Sequence, residues 1–224
     1  MTRTGTIKTK KKVYNLFFHS ISRSIKMSFT KIEQKLKEFT IDASTDPSIN
    51  TNEQLKELEM NIGNQLPSDY KDFLKGYGGC YLESKKTTDE IEYDVCYKPI
   101  EKDPWMGKGD DTQLLEGFYG LANDHNSLQK AIDTYSDRFP RNIIPIASSA
   151  GGNEICMDID NEKILFWDHE LSHPNKDFFL IANSFEEFVL SLVDEPIETD
   201  DNDSDVEIEV LDNDFAKLLF GKDN

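Results

Sequence analysis

The sequence predicts an α+β fold, a single domain with a mixed, mostly antiparallel sheet flanked by helices. Helical patterns dominate up to residue 76, whereas short apolar segments separated by turns dominate after residue 80. Between residues 143 and 167, three such segments are joined by very short turns. Turns this short indicate antiparallel strands, because a parallel connection needs a crossover of about a dozen residues or more.

Three helices are predicted before the first strand. The first begins at Ser28 and carries apolar residues at helical spacing, namely Phe29, Ile32, Leu36 and Phe39. Residues 41–50 are predicted to form a loop. The second helix begins at Thr51, where Gln54 completes a capping box. The apolar face of this second helix consists of Leu55, Leu58 and Ile62.

The third helix lies in residues 66–80, which read LPSDYKDFLKGYGGC. Pro67 suits the first turn of a helix, because its missing N–H has no intrahelical partner there. The apolar face and the glycines that allow a sharp exit follow in order: Tyr70, Phe73, Leu74, Gly76, Gly78 and Gly79. A strand is expected to begin directly afterwards, at Cys80.

Strands and two further helices complete the predicted domain. The predicted strands are residues 80–83, 91–97, 113–121, 143–147, 154–159, 163–167 and 178–182. A helix is predicted over residues 126–139, and Pro140 marks its end. Ser184 and Glu187 form the capping box of the last helix. Its apolar stripe consists of Phe185, Phe188, Val189, Leu192 and Val193.

Composition divides the chain into three parts. Residues 1–27 form a basic N-terminal extension, which is either disordered, the product of a misplaced start, or a targeting or docking arm. Residues 28–195 form the α+β domain. Residues 196–224 form an acidic tail, in which residues 198–214 hold nine acids and no base. Such a segment stays solvated unless a partner or the domain itself orders it.

Charge is the most asymmetric property of the chain. The net charge is -18, yet the first 26 residues contain seven basic residues and no acid, so the remainder carries 18 basic and 43 acidic residues, a net charge of -25. This surface repels nucleic acid and anionic membranes and favours a basic protein partner. The three cysteines, Cys80, Cys96 and Cys156, form no CxxC pair, which favours a reducing, cytoplasmic location.

Several patterns resemble catalytic or metal sites without fulfilling their requirements. Asp168, His169, Glu170 and His173 have ligand chemistry, but the following Pro174 makes their segment a polar loop with no third distant ligand. Asp201, Asp203 and Asp205 resemble the start of a calcium loop. Val206 replaces the glycine and Asp212 the glutamate that such a loop requires. We therefore predict neither a bound metal nor another cofactor.

Three other groups of residues are also predicted to be structural. The serines and glycines of residues 148–152 lack the lysine and the following helix of a phosphate-binding loop. His125 follows Asp124 with no nucleophile nearby, which favours a loop or capping role. Trp105 and Trp167 lack basic neighbours and are predicted to pack rather than to stack on bases. The sequence thus favours a protein that is not an enzyme.

The order of three motifs resembles the SUKH superfamily, which includes yeast cell-wall synthesis regulators and bacterial immunity proteins. The motifs are LPSDYKDFLKGYGG, IPIASSAGGNEICMDI and ILFWDHE, and their order and spacing match over about residues 50 to 193. The matching structural positions are Leu66, Pro67, Tyr70, Phe73, Leu74, Gly78, Gly79, Ile144, Pro145, Ile146, Gly151, Gly152, Asp158, Phe166, Trp167 and Asp168. The basic extension and the acidic tail lie outside this resemblance.

The resemblance implies an α+β fold without catalytic chemistry. Many bacterial members bind and neutralise a cognate polymorphic toxin, often a nuclease, so the expected partner is a basic toxin domain. The expected alternative is a non-catalytic regulatory scaffold similar to the fungal members, with the acidic tail as a recruiting arm. Candidate partner-binding residues are Asp110, Asp111, Asp168, His169 and Glu170.

Overall fold

The computed structural model describes residues 29–43, 46, 50–86, 91–104, 106–170 and 177–197. The helices are α1 (residues 29–36), α2 (Asn52–Ile62), α3 (Ser68–Gly76), α4 (Leu128–Tyr135) and α5 (Phe185–Leu190). The strands are β1 (Phe39–Ala43), β2 (Cys80–Ser84), β3 (Tyr93–Tyr97), β4 (Gln113–Phe118), β5 (Ile143–Ser149), β6 (Asn153–Asp158), β7 (Ile164–Trp167), β8 (Phe178–Ala182) and β9 (Leu192–Pro196).

The strands form one sheet in the order β1-β2-β4-β5-β6-β7-β8, and β3 pairs with both β4 and β9. Each of these strand pairs is antiparallel. Beyond β3 the chain reaches β8, where the N–H groups of Ile100 and Glu101 donate to the carbonyls of Ile181 and Leu180. The predicted α+β class and the predicted meander of β5, β6 and β7 are confirmed.

Residues along β6, β7 and β8 alternate between two faces of the sheet. One face, called the main face here, contributes Ile155, Met157, Ile164, Phe166, Phe179 and Ile181 to a large buried cluster. The opposite face, called the second face here, contributes Cys156, Leu165, Trp167 and Phe178 to a smaller cluster. The alternation follows from the pleat of a strand, which points successive side chains to opposite sides.

Helices α3 and α5 cover the main face with aromatic side chains. Phe73 of α3 is 0% exposed, and its ring centroid lies 4.7 Å from that of Phe118 and 5.2 Å from that of Phe185. Tyr70 and Leu74, predicted to share the apolar face of α3, are also fully buried. These rings pack at tilted or edge-on angles, the arrangements that aromatic quadrupoles favour.

The start of α3 differs in detail from the prediction. Pro67 immediately precedes the helix, and no side chain caps its N-terminus. Instead, the Asp69 carboxylate accepts the N–H of Tyr70, and Glu59 of α2 accepts the N–H of Leu66. Glu59 also pairs with Lys71 at 3.1 Å. The loop between α2 and α3 is therefore fixed by contacts from both helices.

A close backbone crossing follows α3 and directs the chain into β2. Gly78 has a φ of 66°, a conformation that favours glycine. A Cβ on Gly120 would lie 1.9 Å from the backbone nitrogen of Gly79, so the two chain segments touch without side chains between them. The predicted glycine exit is confirmed, and its partner is a glycine distant in sequence.

The prediction for residues 39–50 was wrong in part. Phe39 begins strand β1 instead of ending a helix, and residues 39–43 pair with β2 along its whole length. Two helices beyond α1 therefore follow, rather than precede, the first strand. Phe39 fits both the helical spacing and the two-residue alternation, and the available β2 edge selects the strand.

The predicted apolar stripe of the last helix was also too long. Ser184 caps α5 through the N–H of Glu187, as predicted, but the helix ends at Leu190. Leu192 and Val193 belong to β9, where they pair with Tyr97 and Cys96 of β3. Pairing with β3 buries Leu192 and gives the backbone groups of residues 192–196 hydrogen-bond partners in the sheet.

Other predicted features agree with the structure. The Thr51 and Gln54 capping box is present at the start of α2. Gly151 and Gly152 have φ values of 75° and 82° in the turn between β5 and β6. Residues 1–27 and 198–224 lie outside the described residues, so the predicted extension and tail remain predictions. Within the described ranges, the helices lack the length and the apolar character needed to cross a membrane.

Candidate functional site

A buried carboxylate lies on the second face. Glu154 of β6 is opposite Ser148 of β5 and Trp167 of β7, and it is 4% exposed. The Tyr135 hydroxyl donates to Glu154 Oε1 at 2.7 Å. The Tyr119 hydroxyl lies 3.1 Å from Oε1 and 3.0 Å from Oε2. One carboxylate is thus held by two tyrosines from distant parts of the chain.

The described residues supply no cation that pairs with Glu154, since no lysine, arginine or histidine nitrogen among them forms an ion pair with its carboxylate. Burial, with a smaller contribution from the negative charge of Glu116, raises the pKa of Glu154 to about 7. The two tyrosine hydroxyls act in the opposite direction, because they stabilise the ionised form.

An aromatic cluster lies beside this carboxylate and includes its neighbours Tyr135 and Trp167. The rings of Tyr135 and Phe139 stack with centroids 4.9 Å apart, and the ring of Trp167 lies edge-on, 5.0 Å from Phe139. Phe178 packs 5.5 Å from Phe139. The predicted packing role of Trp167 is confirmed. Tyr135 and Phe178 are only half-buried, so this cluster reaches the protein surface.

The residues that sequence analysis proposed for partner binding lie in loops at one end of the sheet. Tyr97 pairs with Gln113, Ser149 with Asn153, and Trp167 with Phe178. These pairs place the loop after β3, the turn after β5 and the loop after β7 at the same end of the strands. We call this region the acidic end, and its predicted partner-binding residues are Asp110, Asp111, Asp168, His169 and Glu170.

These five residues do not form one cluster with a shared role. Asp168 is 5% exposed, and its carboxylate accepts the N–H of Glu170, so it shapes the turn. The His169 backbone N–H and ring Nδ1 both lie within hydrogen-bond distance of Asn153 Oδ1, at 3.1 and 2.9 Å. Of the three candidates after β7, His169 and Glu170 are exposed.

The other two candidates lie in the loop between β3 and β4. The Asp110 carboxylate accepts the N–H of Gly107, and Asp111 pairs with Lys102 at 2.7 Å, which lowers the pKa of Asp111. Both aspartates are exposed. Partner binding by these residues remains a prediction.

The patterns that resembled metal or phosphate sites have no support in the described part of the chain. It contains no group of three metal-ligating side chains. His173, Trp105 and residues 201–205 lie outside that part. Ser149 donates to the carbonyl of Leu114 at 2.6 Å, and β6 rather than a helix follows its turn. This turn closes a hairpin and does not present the helix N-terminus of a phosphate-binding loop.

A cleft of about 420 Å³ lies elsewhere, between α2 and α4. Its amide side chains bind the protein itself: Asn61 donates to Gln129, Gln129 to Asp133, and Gln54 to the carbonyl of Leu121. The more unusual site, at Glu154, was not predicted from the sequence. Its one local signal is an acid directly before the apolar residues ICM of β6, because Tyr119 and Tyr135 are distant in sequence.

The fold and the three sequence motifs indicate a class of protein, and comparison with known families identifies the same class. The family model described as SMI1-KNR4 cell-wall matches residues 52–189, from the start of α2 into α5. The chain therefore belongs to this family, within the SUKH superfamily that its motifs resemble. It is also similar to the SPbeta prophage-derived uncharacterized protein YokK of Bacillus subtilis (strain 168). The two are 90% identical over 189 residues, which are 84% of this chain and 98% of the relative.

Proposed function

We propose that this protein is an immunity protein that binds and neutralises a cognate polymorphic toxin in the cytoplasm. The observation that carries this proposal is its membership of the SMI1-KNR4 family, shown over residues 52–189. The prophage origin in the name of its relative supports a role in competition between bacteria. Neutralisation occurs by steric and electrostatic blocking, without catalysis or a cofactor.

Charge explains how such a protein finds a basic toxin. The chain after residue 26 carries a net charge of -25. Long-range attraction raises the association rate of oppositely charged proteins and falls with increasing salt. At the acidic end, Asp110 and Asp111 are exposed in the loop after β3, and Glu170 is exposed after β7. We propose that they take part in the encounter with the toxin.

The cysteines are consistent with a non-catalytic role. Burial raises the pKa of Cys80 to about 12 and that of Cys96 to about 11. Burial also raises the pKa of Cys156 well above its usual value. Because the thiolate is the reactive form, these three groups are poor nucleophiles at neutral pH.

The proposal is tested by co-expression with toxins encoded beside the gene. We expect the wild-type protein to restore growth, and the triple variant Asp110→Lys, Asp111→Lys, Glu170→Lys to protect at least about tenfold less well, since charge reversal slows encounter. The triple variant Glu53→Lys, Glu57→Lys, Asp133→Lys is the control, with equal charge change on α2 and α4. Failure of the soluble, folded wild-type protein against every neighbouring toxin would remove the proposal.

The second candidate function is a regulatory scaffold. The description of the matching family as cell-wall proteins favours it. In this case the acidic tail recruits the partner. Deletion of residues 198–224 is then expected to abolish partner capture while leaving thermal unfolding of the domain unchanged. Capture that is unaffected by the deletion would contradict this function.

A further inference from the structure

We propose that the second face binds an arginine side chain of a basic protein partner, with the hydroxyl oxygens of Tyr119 and Tyr135 as acceptors and the aromatic cluster as the stacking surface. This inference rests on the proposed function, since it identifies a recognition site for the toxin. It also predicts that the site binds an isolated arginine derivative in the absence of a toxin, because all residues of the site belong to this chain.

The hydrogen bonds between the two tyrosines and Glu154 have a defined direction. Each tyrosine hydroxyl has one proton, and an ionised carboxylate only accepts hydrogen bonds. Tyr119 and Tyr135 both point their hydroxyls at Glu154, at 2.7 to 3.1 Å, so both protons are used there. Each hydroxyl can therefore form further hydrogen bonds only as an acceptor. A group rich in N–H donors therefore fits this site, whereas a phosphate or a carboxylate does not.

The charge of the site is complementary to that of a cationic ligand. Glu154 is buried and forms no ion pair within the described ranges. Burial of a charge without a partner is unfavourable, so a cation supplied from outside would restore the balance. Arg138 acts on Tyr135 electrostatically, but it does not pair with Glu154.

The aromatic surroundings of the site favour arginine over lysine. A guanidinium group is planar, stacks on aromatic rings and offers several N–H donors. Tyr135 and Phe178 are half-buried, and they border the buried rings of Phe139 and Trp167. A guanidinium lying against Tyr135 would contact the ring and reach a hydroxyl with the same group. A compact lysine ammonium group would form fewer contacts with this surface.

Binding at this site depends on pH. When Glu154 is protonated, it donates to one tyrosine oxygen and frees a tyrosine proton, so the site no longer only accepts hydrogen bonds. Because burial raises the pKa of Glu154 to about 7, binding should strengthen as the pH increases from 6 to 8. The other titratable or charged groups that act on this cluster are Glu116, Cys156 and Arg138.

The test is an NMR titration of the full chain with N-acetyl-arginine methylamide at pH 6 and pH 8. We expect saturable shifts of the Trp167 indole N–H and of the Tyr135 and Glu154 amides, larger affinity at pH 8, and no saturable shifts with acetate. Trp105→Phe assigns the indole signal. Tyr135→Phe and Glu154→Gln are each expected to weaken binding about threefold to tenfold, the effect of losing one hydrogen bond.

Tyr77→Phe is the matched control, because Tyr77 is also half-buried but packs against Phe73 on the main face. This variant should bind the probe with the same affinity as wild type. The inference is overturned if the probe gives no saturable shifts at the second face, if both site variants bind as well as wild type, or if acetate binds equally. Protection from a toxin that survives both site variants unchanged also overturns it. Probe binding without protection from any toxin removes only the proposed function.

Discussion

The two faces of the sheet differ in the side chains that they bury. The main face is closed by α3 and α5 over aromatic and aliphatic side chains. The second face carries a smaller aromatic cluster and, beside it, a buried carboxylate that forms no ion pair with any described residue. The main face therefore contributes most of the stability, whereas the second face retains a group that packing alone does not require.

The raised pKa of Glu154 gives the cost of this buried carboxylate in free energy of unfolding. Its pKa is about 7 in the folded protein, compared with an ordinary value of 4.5. Such a difference corresponds to about 3 kcal/mol of lost stability above pH 7. A protein maintained only for stability would favour a neutral side chain here. This cost is consistent with the proposed arginine-binding site, which gives the carboxylate a role other than folding.

The largest expected effect is on the main face. Phe73→Ala should lower the free energy of unfolding by about 3 to 5 kcal/mol, because it removes a fully buried ring and leaves a cavity. Phe178→Ala, which truncates a half-buried ring on the second face, should cost about 1 to 2 kcal/mol. Urea denaturation measures both. Equal losses would contradict the difference between the faces.

The glycine crossing that supports α3 should be nearly as sensitive. Gly120→Ala is expected to cost about 3 kcal/mol, because the new Cβ would overlap the backbone of Gly79 and cannot be relieved by a side-chain rotation. Gly151→Ala is the control in the hairpin turn, where φ is 75° but space is available. There we expect about 1 kcal/mol. Thermal unfolding of both variants tests whether the crossing is as close as described.

On the second face, removal of the Glu154 charge should stabilise the protein. The raised pKa means that the folded state holds a proton that the unfolded state releases, so stability declines as the pH rises from 4.5 through about 7. Glu154→Gln removes this decline. It should raise the free energy of unfolding by about 1 to 3 kcal/mol at pH 8 and have little effect at pH 4.

Urea denaturation across this pH range provides the measurement for Glu154→Gln. Glu57→Gln, an exposed position on α2, is the matched control for the loss of one carboxylate. A variant that is less stable than wild type at pH 8 would show that Glu154 supports the fold, contrary to the proposed contrast between the faces.

The smallest effect concerns a helix on the main face. Thr51→Ala removes the hydroxyl that accepts the N–H of Gln54 and should cost about 1 kcal/mol. Thr134→Ala on α4 is the control, because its hydroxyl only adds a bond to the carbonyl of Lys130. Its change should stay within about 0.5 kcal/mol. Differential scanning calorimetry compares the two, and a larger loss at Thr134 would reverse the expected order.

The main face was largely predictable from the sequence. The spacing of Tyr70, Phe73 and Leu74 identified the buried side of α3, and the Thr51 and Ser184 caps marked two helix starts. Local patterns failed where two periodicities coincided. Phe39 and Leu192 fitted helices, but long-range pairing with β2 and β3 placed both in strands. Such pairing depends on neighbours that the local sequence does not contain.

The second face was not predictable in the same way. Glu154 interacts with Tyr119, 35 residues away, and with Tyr135, 19 residues away. Neither tyrosine belongs to a recognisable motif with it, and an acid within a strand is usually interpreted as facing solvent. The exposed acids predicted for partner binding were found from composition alone. Their location at one end of the sheet required the strand register.

The most direct test of the contrast between the faces is a pH titration of the Glu154 side-chain carboxyl carbon by ¹³C NMR. Burial without a compensating cation predicts a midpoint near 7. Glu154→Gln identifies the signal by its loss. A midpoint at or below 4.5 would mean that the carboxylate is solvated or paired with a cation, and it would contradict the account of the second face.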